Sequence, residues 1–245
     1  MSESTTRDVP ALKSLPFVLS VIAGSMDVIG FLGLNGLFTA HITGNLVVLA
    51  AHVVIGSDAR LAPIISVPVF IAALAATKFF AAGLERARIA PLAVLLLLQL
   101  LLILGFLAVC FFEGVHAGLD TPSMVVAGML GVSAMAVQNA LVRIALPGAP
   151  ATAVLTTNIT LFTLDLVELL IGGDTQRVAQ ARERSSRTWP AIAGFLVGCV
   201  VGAACESAVG LNALALPTGL ALAALLLVLV ANSRPASAQG TPRLI

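Results

Sequence analysis

The chain has 245 residues, 59% of them hydrophobic and 10% charged, with a formal net charge of +1. Soluble domains carry about a quarter charged residues and cannot hide this much apolar surface in a core of this size, so the composition calls for lipid as solvent and speaks against a soluble enzyme. The near-neutral charge supplies no phosphate-tracking surface, so no nucleic-acid partner is expected.

Residues 1–14 are polar and mixed in charge. The apolar run behind them is long and lacks a small-residue cleavage site, so they read as a retained cytoplasmic tail and not as a signal peptide. Apolar runs follow at 15–34, 41–56, 61–84, 91–112, 123–142, 153–172, 191–212 and 214–231. Together they form one all-α transmembrane domain over 15–231, a polytopic helical bundle with the bilayer as its partner. Residues 232–245 are rich in Pro, Gly and Ser and read as a disordered tail.

The eight runs are unequal. A helix needs about 20 residues to cross about 30 Å of hydrocarbon. The second run offers only the stretch from Asn45 to Gly56, with His52 inside it. Charge arbitrates between topologies. With eight crossings and a cytoplasmic N-terminus, Arg86, Arg88 and Arg143 fall outside; if the second and sixth runs dip in and return, only Arg60 does. The positive-inside rule therefore favours six spans plus two polar re-entrant or short helices over the alternative of eight spans. It also puts both termini in the cytoplasm. The stretch 173–188, GDTQRVAQARERSSRT, reads as a cytoplasmic loop with room for a short polar helix.

An internal similarity supports this division. TAHITGN, Thr39 to Asn45, matches TAVLTTN, Thr152 to Asn158, in the register of its threonines and closing asparagine. Each copy follows turn-forming residues, Asn35 and Gly36 in the first and Pro147 and Gly148 in the second. The halves 15–112 and 123–231 then read as an internal duplication. Three crossings per half would invert the second relative to the first, a pattern that secondary transporters use to build a midplane site.

Polar residues inside apolar runs are the candidates for function. Asp27 lies in AGSMDVIGFLG; a carboxylate at a helix centre costs about 2.5–3.5 kcal/mol on insertion scales, so it must face the interior, a water path or a partner. His41, Thr43 and Asn45, with Gly44 as a break point, and Thr157 and Asn158 in the second copy, form a substrate or ion-binding set. Capping of embedded helices is the plain alternative. Gln138 and Asn139 are the second-half equivalents of Asp27, with one residue of slippage for Asn139. Asp165 and Glu168 share a helix face and would repel each other unless one is neutralised or reaches water. Glu206 is a further embedded acid. Lys78 is a candidate counterion to Asp27 or Glu206, with snorkelling to the surface as the alternative. Cys110, Cys199 and Cys205 read as small buried hydrophobes. No ligand spacing suggests a metal, no motif a cofactor, and no nucleophile elbow, zinc-protease pair or phosphate loop an enzyme.

The stretches AGSMDVIGF, Ala23 to Phe31, and FTAHITGN, Phe38 to Asn45, resemble the YoaK-like family of small bacterial integral membrane proteins, which pairs a central Asp in its first helix with an M-T-G-N type segment. Here Ile42 stands where the family often has Met, and the likeness covers roughly 15–231. It implies the bacterial cytoplasmic (inner) membrane, and it brings neither a substrate nor catalytic residues with it. The residues point to a secondary transporter or permease-like protein for a small solute, with proton coupling through the embedded acids. The alternative is an accessory or scaffold protein in which the same groups fasten helices. Substrate, coupling ion and oligomeric state are not encoded in any motif.

Overall fold

The computed structural model describes residues 13–55, 61–113 and 121–233. The two tails lie almost wholly outside these, as does Arg60. The described residues are helical: α1 (Leu15–Gly33), α2 (Ile42–Ile55), α3 (Leu61–Arg86), α4 (Pro91–Glu113), α5 (Pro122–Ala145), α6 (Leu155–Ile171) and α7 (Thr175–Val209), then a 3₁₀ turn (Gly210–Leu214) and α8 (Ala215–Ser233).

Local chemistry sets these boundaries. Pro91 and Pro122 open α4 and α5 at a position where a missing N–H leaves no helical bond unmade. Asp174 caps α7, its side chain accepting from the Gln176 amide at 2.9 Å. The chain reverses after α1 through Asn35 and Gly36, at φ 56° and 90°, and before α6 through Gly148, at φ 79°.

Five helical stretches are long and apolar enough to cross a membrane: 15–33, 62–86, 91–113, 122–145 and 175–233, the last containing both α7 and α8. Large apolar side chains such as Phe79, Phe112, Leu170 and Val200 are exposed on the outside of the bundle, where lipid would meet them. This is a multi-pass membrane protein. By contrast α2 has 14 residues and α6 has 17, lengths of about 21 and 25 Å that fall short of the hydrocarbon thickness.

One expectation needs correction. The stretch expected as a loop with room for a short helix is, from Thr175 to Thr188, the first part of α7, a continuous helix of 35 residues. Its buried stripe, Ala181, Ser185, Thr188 and Ala191, continues at helical spacing into Phe195, Gly198 and Gly202, so nothing in the packing interrupts it. Pro190 removes one bond, to the Ser186 carbonyl, and Ser186 lies on the exposed side, where that loss is cheapest.

Helix directions follow from residue contacts. A side chain added at Gly194 would meet the Phe17 carbonyl, at Gly198 those of Val21 and the Ser25 amide, and at Gly202 the Ser25 backbone. So α1 and α7 run parallel, backbone against backbone, along a seam of small residues. α5 runs antiparallel to α1: Gly128 faces Leu34 and Leu37 beyond the end of α1, while Gln138 bonds Leu19 near its start. α4 runs antiparallel to α5, since Gly131 faces Phe106 and Gln99 bonds Gln138. A tight turn at Ala87–Ile89, with Arg88 at φ 60°, joins α3 to α4. Lys13, Arg86, Arg143 and the arginines of early α7 consequently gather at one end of the bundle.

The α1–α7 seam gives a direct test. Gly198→Ala should lower stability by about 1–3 kcal/mol through overpacking, whereas Gly83→Ala, with nothing within 4 Å of its added carbon, should not. Reversible unfolding in mixed micelles measures both.

Candidate functional site

Between α1 and α2 the backbone of 34–41 is not helical, yet much of it is buried. It returns alongside α1, because Gly30 faces the Leu37 carbonyl and the Thr39 methyl. Peptide groups there have no water to bond, so side chains must complete them.

Asp27 is the main partner. Only 3% exposed, its Oδ1 accepts from the amide of Ala40 at 2.6 Å, from that of His41 at 3.3 Å and from the Thr39 hydroxyl at 3.4 Å. Its Oδ2 accepts a short hydrogen bond from His41 Nδ1. A carboxylate only accepts, so the Nδ1 nitrogen is the one that carries hydrogen. The helix-end amides that the sequence offered to a foreign anion are therefore occupied by the protein's own carboxylate. The His41 ring packs edge-on against Phe195, with centroids 5.5 Å apart, and against Phe38 at 6.2 Å. About a third of its side chain stays accessible.

Asn45 completes the same segment. Its Oδ1 accepts from the Phe38 amide and its Nδ2 donates to the Phe38 carbonyl, both at 2.8 Å, and Nδ2 also donates to Ser66 of α3. This is not a cap of first-turn amides: the side chain pairs both backbone groups of one non-helical residue.

The second copy repeats part of this. Asn158 Nδ2 donates to the Ala151 carbonyl, seven residues back, as Asn45 does to Phe38. Gln138 takes the place corresponding to Asp27. Its Nε2 donates to the Thr152 hydroxyl and the Leu19 carbonyl, both at 2.9 Å, and its Oε1 accepts from Gln99 at 2.7 Å. The Leu19 carbonyl only accepts, which fixes the orientation of the amide.

Of the residues expected from sequence, Asp27, His41 and Asn45 are brought together, as are Gln138 and the Asn158 segment. Others are not. Asn139 bonds back to Met135 of its own helix, so of the two amides it is Gln138 that reaches the second segment. Thr43 and Thr157 are exposed; in these two segments the buried threonines are Thr39 and Thr152, four and five residues earlier. Asp165 lies at the basic end, where Arg184 donates to its Oδ1 through Nε at 3.0 Å and Nη2 at 2.6 Å. That cation removes the expected conflict with Glu168. Glu206 lies near Gly33 at the far end of α1, away from the Asp27 cluster. Lys78 is exposed on α3, and the side chain paired with Asp27 Oδ2 is that of His41. Gln99 and Ser66 were missed. Their only signal is a single polar residue inside a long apolar run, and Gln99 gives it clearly, in LLLLQLLLIL.

Residues 15–227 match the family model described as "Protein of unknown function (DUF1275)", and the chain belongs to that family, with which YoaK-like proteins are associated. No curated protein and no solved structure matches it.

The two clasps should be separable. Asp27→Ala strands the buried amide of Ala40, a loss of about 1–3 kcal/mol, and should speed hydrogen exchange in 38–41 by about tenfold or more while leaving 150–153 unchanged. Gln138→Leu should do the reverse. Exchange mass spectrometry in lipid nanodiscs reads both segments in one experiment.

Proposed function

We propose that this member of the DUF1275 family is a small secondary transporter, a carrier and not an enzyme. On this reading α1, α3, α4, α5, α7 and α8 cross the membrane, and α2 and α6 are re-entrant. The two halves are inverted copies, and both termini lie in the bacterial cytoplasm. The support is threefold. α1 of the first half packs on α7 of the second, while α5 of the second packs on α3 and α4 of the first, an exchange expected of inverted halves. The basic residues collect at one end, as the positive-inside rule expects of a cytoplasmic face. Broken backbone beside an embedded carboxylate is the arrangement by which such carriers build a midplane site.

The observation that carries the reading is the Asp27–His41 pair at the start of a short helix that is otherwise barely buried. An embedded charge of this kind marks an ion or proton path more often than a fastening. One observation favours the accessory or scaffold alternative: the polar groups of Asp27, Asn45 and Gln138 bond mainly to the protein itself.

Reconstitution decides between them. Proteoliposomes carrying the wild type should accumulate at least one solute from a broad panel under an imposed proton gradient. Asp27→Asn should reduce that uptake by about tenfold or more, as loss of a charge-assisted contact would, while still eluting as a folded species. No uptake from any solute, with Asp27→Asn failing to fold, leaves the scaffold reading.

A further inference from the structure

The two clasps hold equivalent segments by opposite chemistry. In the first, α1 offers an acceptor, Asp27, to the donors of 39–41. In the second, α5 offers a donor, the Gln138 amide, to the Thr152 hydroxyl and the Leu19 carbonyl. A carboxylate–imidazole pair changes charge when it takes a proton. A glutamine with both its hydrogens and its oxygen engaged has no such second state.

We propose that the chain binds one proton at the Asp27–His41 pair, that this proton controls the hold on segment 34–41, and that segment 146–154 is held independently of pH. The inference rests on the transporter reading only for its use, since the proton site itself follows from the geometry.

Asp27 is buried and His41 is partly accessible, so the proton enters through the imidazole. The Nδ1–H already points at Asp27 Oδ2, and the incoming proton adds to the free nitrogen, Nε2. Neutral imidazole becomes imidazolium, and a pair of net charge −1 becomes a neutral ion pair. Within hydrocarbon the neutral pair is favoured; the hydrogen bond is charge-assisted in both states because its acceptor is a carboxylate, and protonation adds the attraction of an imidazolium for that carboxylate. The loaded clasp is therefore the tighter one, and release of the proton loosens it.

The groups around the pair are compatible with a single-proton event. From the segment itself come His41 and the Thr39 hydroxyl. α7 presents Phe195 to the ring and Cys199, whose thiol donates to the Gly24 carbonyl at 3.7 Å. Glu206, also on α7, lies one end away, near Gly33. α5 faces the segment with Gly128 and Gly131, which carry no charge.

The chain has three histidines, His41, His52 and His116, so selective ¹⁵N-histidine labelling in nanodiscs isolates the imidazole. The resonance absent from His41→Gln should titrate in one step. Over the same step, exchange protection of 38–41 should fall about tenfold as pH rises, a factor in keeping with the loss of the imidazolium–carboxylate attraction, while 150–153 stays flat. In His41→Gln, which keeps Asp27 and the backbone donors, the step in 38–41 should vanish. Gln138→Glu should create a pH response in 150–153. A His41 resonance that titrates with no change in 38–41 would overturn the proposal, as would equal responses in the two segments of the wild type or a step that survives in His41→Gln. A protein that transports nothing yet shows the step retains the proton site and loses the transporter reading.

Discussion

Hydrocarbon offers a peptide group no hydrogen-bond partner, and among the described residues the non-helical stretches 34–41 and 146–154 are partly buried between helices. Each buried N–H or C=O left unpaired there would cost several kcal/mol, more than any single apolar contact returns. The residues that look functional are the ones that discharge this debt. Asp27 receives two amides and a hydroxyl, Asn45 pairs both groups of Phe38, Asn158 covers Ala151, and Gln138 ties the second segment to α1. Glycine is the complementary device. Gly30 and Gly128 have no side chain because segment 34–41 passes where one would stand.

Much of this was legible in the sequence because it depends on hydropathy and spacing. Apart from the start of α7, apolar runs located the helices to within a few residues, since burial in lipid is read from single residues without knowledge of partners. The repeat of TAHITGN in TAVLTTN was also visible, and the shared seven-residue reach of Asn45 and Asn158 gives it a physical meaning. The roles within the repeat were less legible. Thr39 and Thr43 are equally polar, and only the direction of the returning backbone decides that the first is buried and the second exposed. Gln138 and Asn139 are adjacent amides about 100° apart around a helix; the choice between them depends on how α5 is rotated against α1.

Two misses have a common origin. Early α7 is too polar to register as part of a span, although its buried stripe of Ala181, Ser185 and Thr188 is small enough to pack without being hydrophobic. That same polar stretch supplies Arg184, the partner of Asp165. A helical hairpin closing at Gly172–Asp174 sets the two opposite each other, 19 residues apart, and no periodicity in sequence announces such a pair.

Packing also separates what can move from what cannot. α1 and α7 touch backbone to backbone along Gly194, Gly198 and Gly202, a seam that tolerates little sliding because carbonyls and amides, not flexible side chains, form its surface. α2 and α6 are the opposite case: Asn45 is the buried residue of α2, and Asn158 and Asp165 are those of α6. α2 is tied to the preceding segment by Asn45 near its start, whereas α6 packs along α7 and carries the Asp165–Arg184 tether as well. A change in charge at the start of α2 acts on the most weakly held element of the bundle, at the one place where its attachment to α1 includes an ionisable pair. If the halves are to differ in mobility, this is the difference the chemistry supplies. A second carboxylate in place of Gln138 would add another embedded charge at a cost of about 2.5–3.5 kcal/mol and would face the Leu19 carbonyl, an acceptor, across the same contact.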